Sequence, residues 1–167
     1  MQAICGFRPA VNGYELAGIE NGKSSNIDGI PFKSIKEDVL KNFRKGGLLI
    51  MNWTAPNYNG NEDILEEYAK KVANFLGSLQ DDYGIKAPIV LNLFPIDGKS
   101  WYCQLSKDDY IDLYKKMQDL LDDEDVSNVI YGYSEAYQPG KNLMDRYPDH
   151  NIDVINVTYL QSRTSIN

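Results

Sequence analysis

An α/β fold built from parallel strand–helix units is predicted by three features of this 167-residue sequence. Short apolar runs alternate with longer segments whose apolar residues recur at helical spacing. The runs begin near residues 10, 48, 88 and 128, about 40 residues apart, which leaves room for a strand, a crossover helix and two loops. Strands that alternate with helices in this way pair in parallel through right-handed crossovers.

The elements follow in order. "PAVNGYEL" (Pro9–Leu16) is the first strand. "PFKSIKEDVLKNFRK" places Phe32, Ile35, Val39, Leu40 and Phe43 on one helical face, with Pro31 suited to the first turn and Gly46 to the stop. "LLIMNW" (Leu48–Trp53) is apolar at nearly every residue, the pattern of a strand covered on both faces. The long helix "NEDILEEYAKKVANFLGSL" carries Ile64, Leu65, Tyr68, Val72, Phe75, Leu76 and Leu79 as its stripe. "PIVLNLF" (Pro88–Phe94) is the third strand. In "SKDDYIDLYKKMQDLL", Ser106 can cap a third helix while Asp108 and Asp109 suit the positive end of its dipole. "NVIYGYS" (Asn128–Ser134) and "IDVINVTYL" (Ile152–Leu160) are the last two strands.

This rhythm fits a doubly wound sheet or part of a (β/α)8 barrel; a complete barrel takes roughly 250 residues. Either fold binds ligands at the C-terminal ends of its strands. The loops there are rich in Asn, Tyr and Trp and poor in positive charge. No Gly-rich phosphate loop follows any strand, and the net charge of −7 argues against a nucleic-acid or phosphate surface. No apolar run reaches the roughly 18 residues of a membrane span, and the opening "MQAICGFRPA" shows no signal-peptide pattern. Cys5 and Cys103 suggest neither a disulfide framework nor a metal site, and read as free, partly buried thiols. His150, the single histidine, lies in a polar "PDHN" turn and reads as a surface residue. No zinc site and no Ser-His-Asp arrangement can be assembled, so no cofactor or metal is expected. The acidic run Asp122–Val126 reads as a solvated helix end. Carboxylate and aromatic chemistry remains, the vocabulary of carbohydrate sites, and the 12 tyrosines suit it because each offers an apolar face and a hydroxyl.

These segments resemble glycoside hydrolase family 26, the β-mannanases, especially its Bacteroidetes-type members. "PAVNGYELAGIENGKSSNIDGIPF" is similar to the family's second-strand region, P-A-x-x-G-W-D-L-x-G-I-E with a later D-G-x-P-F. "KGGLLIMNWTAPN" resembles the third-strand pattern G-G-I-x-T-x-S-W-H-x-x-N-P. "APIVLNLFPIDGKSWYC" resembles the fourth, P-x-x-F-R-P-x-H-E followed by G-x-W-F-W-W. "NVIYGYS" and "RYPDHNIDVINVTYL" are similar to the fifth and sixth. The resemblance implies a (β/α)8 barrel that is partial here, about five βα units covered from the second strand to the sixth. Residues 1–167 would then be one domain lacking the first strand and the last two.

The same comparison implies degenerate catalytic positions. In the family an acid/base glutamate ends the fourth strand; here that position holds Ile96 or, with a shift of one, Pro95. Neither can transfer a proton. The strand's arginine becomes Asn92, the third strand's histidine becomes Thr54, and the nucleophile's seventh strand finds no counterpart. A retaining glycosidase needs two carboxyl groups roughly 5–5.5 Å apart. Asp97 is the one surrogate acid, with the alternative that it caps a turn. The resemblance makes Trp53, Asn57, Trp101, Tyr102 and Tyr133 candidate sugar contacts; the aromatics could equally pack into the core.

Three functional readings follow. The first is an inactive, weakly mannan-binding relative. The second is a divergent mannanase completed by another segment or chain. The third is an interaction or structural half-barrel. β-Mannan or manno-oligosaccharide is the expected partner, with no nucleic acid and no membrane, and with self-association through the open sheet edges. Family resemblance implies a secreted or cell-surface protein.

Overall fold

The computed structural model describes residues 10–159. Cys5, Pro9, Leu160 and the "QSRTSIN" segment of the sequence reading lie outside the described residues.

Five strands form one sheet in the order β1-β2-β3-β4-β5, and every neighbouring pair is parallel. They are β1 (Val11–Glu15), β2 (Leu48–Trp53), β3 (Ile89–Leu93), β4 (Val129–Ala136) and β5 (Val154–Thr158). Sequential order without reversal excludes the doubly wound alternative and gives a curled half-barrel. Three helices fill the first three crossovers: α1 (Phe32–Phe43), α2 (Glu62–Gly77) and α3 (Lys107–Asp123). Between β4 and β5 the chain runs as turns and irregular backbone, so the expectation of about five βα units becomes five strands with three helices. β5 accordingly keeps Ile155 and Val157 half exposed.

Local chemistry explains the boundaries. Pro31 sits at the cap position, one residue before the first turn, where its carbonyl accepts from Ile35. α1 stops as Gly46 takes a left-handed φ of 71° and donates to the Phe43 carbonyl. Asn61 caps α2 by accepting from the Asp63 N–H at 3.0 Å, and Ser106 caps α3 by accepting from Asp109 at 3.2 Å. The stripe of α2 centres on Leu65, Ala69, Val72, Ala73 and Leu76. Tyr68 and Phe75 fall at its margins, because the small alanines let the helix lie close to the sheet.

Side chains alternate across the sheet. On β2, Leu49, Met51 and Trp53 are buried beneath the helices, whereas Leu48, Ile50 and Asn52 face the concave side. The uniformly apolar "LLIMNW" is therefore covered on one face, not both, and Leu48 is 48% exposed. β3, at the centre of the curl, has all five residues buried, so its expected apolar exposure is absent.

Candidate active site at the C-terminal mouth of the half-barrel

A hollow of about 340 Å3 opens where β2 to β5 end, lined by Asn52, Thr54, Pro95, Ile96, Asp97 and Ser134 among others. Its floor is a chain of amides. Asn92 Nδ2 donates to Asn52 Oδ1 at 2.7 Å, and Asn156 Nδ2 donates to Asn92 Oδ1 at 2.8 Å. The register brings this about: Asn52 pairs with Asn92, Asn92 pairs with Gly132, and Asn156 reaches across that glycine from β5. A Cβ on Gly132 would lie 2.2 Å from Asn92 Oδ1 and 3.2 Å from Asn156 Nδ2. Gly132→Ala is expected to cost about 1–2 kcal/mol by displacing Asn92 and breaking the chain. Urea unfolding checks it; an unchanged midpoint would mean the amides re-form around the methyl.

Glu15, at the end of β1, faces the same side. Its Oε1 accepts from Ala17 N at 2.8 Å and Thr54 N at 3.1 Å, and Oε2 accepts from the Thr54 hydroxyl at 2.9 Å. Sequence reasoning passed over Glu15, though it stands where the W-D-L pattern has its acid. The three mouth asparagines were also missed, although each interrupts an otherwise apolar strand.

At the end of β3 the backbone bends sharply. Phe94 is fully buried with φ of 48°, an outlier for a bulky residue. Surrounding contacts impose it. Its N–H donates to the Trp53 carbonyl at 3.2 Å, its carbonyl accepts from Tyr110 OH at 2.9 Å, and its ring meets Trp53, Tyr102 and Tyr114. The bend delivers Pro95 and then Ile96, which is 8% exposed, to the mouth.

Asp97 follows, and its carboxylate is held by the turn. Oδ1 accepts from Lys99 N at 2.7 Å and Ser100 N at 2.8 Å, and Oδ2 accepts from the Ser100 hydroxyl at 2.8 Å. Burial alone would raise its pKa, but these donors outweigh burial and hold it below the usual carboxylate range. The Cys103 thiol lies 3.4 Å from Oδ1, free and half-buried, its pKa pushed up by burial.

The aromatic candidates divide by exposure. Trp53, Tyr102 and Tyr133 have no exposed surface, so a sugar has no face of theirs to stack on. Trp53 Nε1 donates to buried Glu20 at 3.1 Å, Tyr102 OH to the Pro95 carbonyl at 3.1 Å, and Tyr133 OH to Glu135 at 2.8 Å. These three pack beneath the mouth, their hydroxyls or indole satisfied. Trp101 is half-buried, anchored by Nε1 to the Ala55 carbonyl, and lies against Tyr58 in a separate hollow between α2 and α3. Asn57 is exposed, its Oδ1 accepting from Asn59 N. His150 is a surface residue.

The arrangement offers a neutral ligand many hydrogen bonds from amides and hydroxyls. It offers no carboxyl group both protonated and free. No family model matches the chain, and no curated protein matches it. Solved structures do. A GH26 β-mannanase from Bacteroides ovatus is 25% identical with a TM-score of 0.87, covering 96% of this chain and 55% of that one. GH26C from a Muricauda species is 20% identical at 0.76, covering 95% and 52%. An endo-β-1,4-mannanase from Cellulomonas fimi is 21% identical at 0.74, covering 93% and 42%. The chain thus has the fold of the family 26 mannanases and spans about half the length of those it matches.

Proposed function

We propose that this chain is a family 26-like, β-mannanase-related protein with degenerate catalytic positions, inactive as a glycosidase and holding manno-oligosaccharide weakly at its mouth. One observation carries the reading. At the end of β3, where the family has its acid/base glutamate, the backbone presents Pro95 and Ile96, and the nearest acid is bound into a turn. A glycosidic acid must hold a proton when substrate arrives, which calls for a raised pKa. The donors around Asp97 lower it instead. In this reading the chain is one domain corresponding to the second to sixth family strands. Asn52, Ser134 and the loop residue Asn57 supply polar contacts, with Trp101 at the outer rim and Trp53, Tyr102 and Tyr133 supporting from beneath.

The test is reducing-sugar release from β-1,4-mannan beside calorimetric titration with mannotetraose. No turnover above background is expected, since a positioned acid supplies about 10²–10⁴-fold. Heat corresponding to a Kd near 1 mM, about −4 kcal/mol, is expected from an open hollow. Turnover that disappears in Asp97→Asn would overturn inactivity and make Asp97 the acid. Absence of heat would remove the binding part.

A second reading, a divergent mannanase completed by another segment or chain, draws on the half-length match and on β1 and β5, each of which has one strand neighbour among the described residues. Adding candidate segments and regaining turnover would favour it. Self-association of an interaction half-barrel rests on the same edges, and sedimentation across concentrations tests that.

A further inference from the structure

Beside β1 lies a groove of about 620 Å3, larger than the mouth, with the strand's free edge as its floor. Backbone geometry shows what that edge offers. Leu48 N–H donates to the Ala10 carbonyl and Leu16 N–H to the Asn52 carbonyl, so Asn12 and Tyr14 between them face β2. Val11 and Gly13 turn their N–H and C=O groups the other way, where they have no partner among the described residues. Farther along, Asn26 Nδ2 takes the Glu15 carbonyl at 3.1 Å and closes that end of the edge. Open space surrounds Gly13, where an added Cβ would meet nothing within 4 Å.

The groove's charges share one sign. Glu15, Asp28 and Asp38 line it, with no lysine or arginine. Glu15 is occupied by Ala17 and Thr54. Asp38 accepts from Tyr14 OH and Asn42 through Oδ2, and the exposed Asp28 contributes only its backbone N–H, to Asn26 Oδ1. Two carboxylates therefore stay available to a ligand. Exposed Val11, Ile30 and Leu48 stand nearby as apolar ground. Natural edges are usually blunted by lysine or a bulge; Val11–Glu15 has neither.

We propose that this edge binds an extended, basic peptide segment that pairs with Val11 and Gly13 as an added strand while its lysines or arginines meet Asp28 and Asp38. Alternate residues of a strand face one way, so a segment alternating basic and apolar residues satisfies both requirements at once. The site is distinct from the mouth and stands whether or not the mouth binds sugar.

Fluorescence anisotropy with the full chain tests this, using a fluorescein-labelled peptide of three Lys-Val repeats and a Glu-Val counterpart. The basic peptide should bind at least about tenfold tighter, and its affinity should fall as salt rises. Asp28→Asn with Asp38→Asn should weaken it roughly fivefold. Gly13→Pro, which removes an edge-facing N–H and leaves the ladder to β2 intact, should abolish binding while circular dichroism stays unchanged. Should that variant unfold, a Lys-Val peptide N-methylated at alternate residues makes the same test on the wild-type chain, and should not bind. Excess mannotetraose should not displace the peptide. Equal affinity for both peptides, no binding of either, or full binding of the N-methylated peptide would each overturn the proposal.

Discussion

Phe94→Ala is expected to lower the unfolding free energy by about 4 kcal/mol. The ring is fully buried among Trp53, Tyr102 and Tyr114, with centroid separations of 5.4, 5.5 and 6.5 Å. Its removal leaves a cavity that the rigid aromatic walls cannot close. The backbone adds a second, sharper expectation. At φ of 48° a β-carbon is penalised and glycine is not. Phe94→Gly should therefore be more stable than Phe94→Ala by about 1 kcal/mol, although in an ordinary strand glycine is the worse residue. Urea midpoints of the two variants decide the matter. If alanine proves the more stable, the left-handed bend is not a property of the folded chain, and the account of how Pro95 and Ile96 reach the mouth goes with it.

This bend also shows where sequence reading stops. The strands themselves were legible because each is a short apolar run, and the helix starts were legible because Asn61 and Ser106 are capping residues. The positions at the end of β3 were legible from the order of Pro88, Asn92 and Trp101. What could not be read was direction. A strand's period of two says that Tyr131 and Tyr133 share a face, but not which face meets helices. Tyr133 therefore stood as a sugar contact until the fold buried it against Glu135 and Tyr147. The amide floor needed still more. Asn52, Asn92 and Asn156 are 40 and 64 residues apart, and only the parallel register with a glycine between them brings them into line. A left-handed phenylalanine has no sequence signature at all, since it is imposed by its neighbours.

Glu20→Ala is expected to cost about 3 kcal/mol, a large share of the stability of a domain this size. The residue is 2% exposed, and its carboxylate satisfies three groups. Gly18 N–H reaches both oxygens at 2.8 and 3.0 Å, Asn21 Nδ2 reaches Oε1 at 2.9 Å, and Trp53 Nε1 reaches Oε2 at 3.1 Å. Gly18 is fitted to this role by a φ of 110°, and a Cβ there would lie 2.9 Å from the Ser25 carbonyl oxygen. Alanine at position 20 leaves two buried N–H groups without acceptors, each costing about 1–3 kcal/mol, and opens a cavity beside the indole. Glu20→Gln keeps one acceptor oxygen but turns an NH2 toward a donor, so it should fall between, near 1–2 kcal/mol. Consequences should reach the mouth, because the Trp53 carbonyl that accepts from Phe94 belongs to the residue whose indole Glu20 holds. Trp53→Phe should thus remove part of the penalty of Glu20→Ala, with a coupling of about 1–2 kcal/mol in a double-mutant cycle. A coupling near zero would separate the two residues. It would leave Glu20 as a local anchor of the loop after β1 and take away its part in holding the floor beneath Pro95 and Ile96.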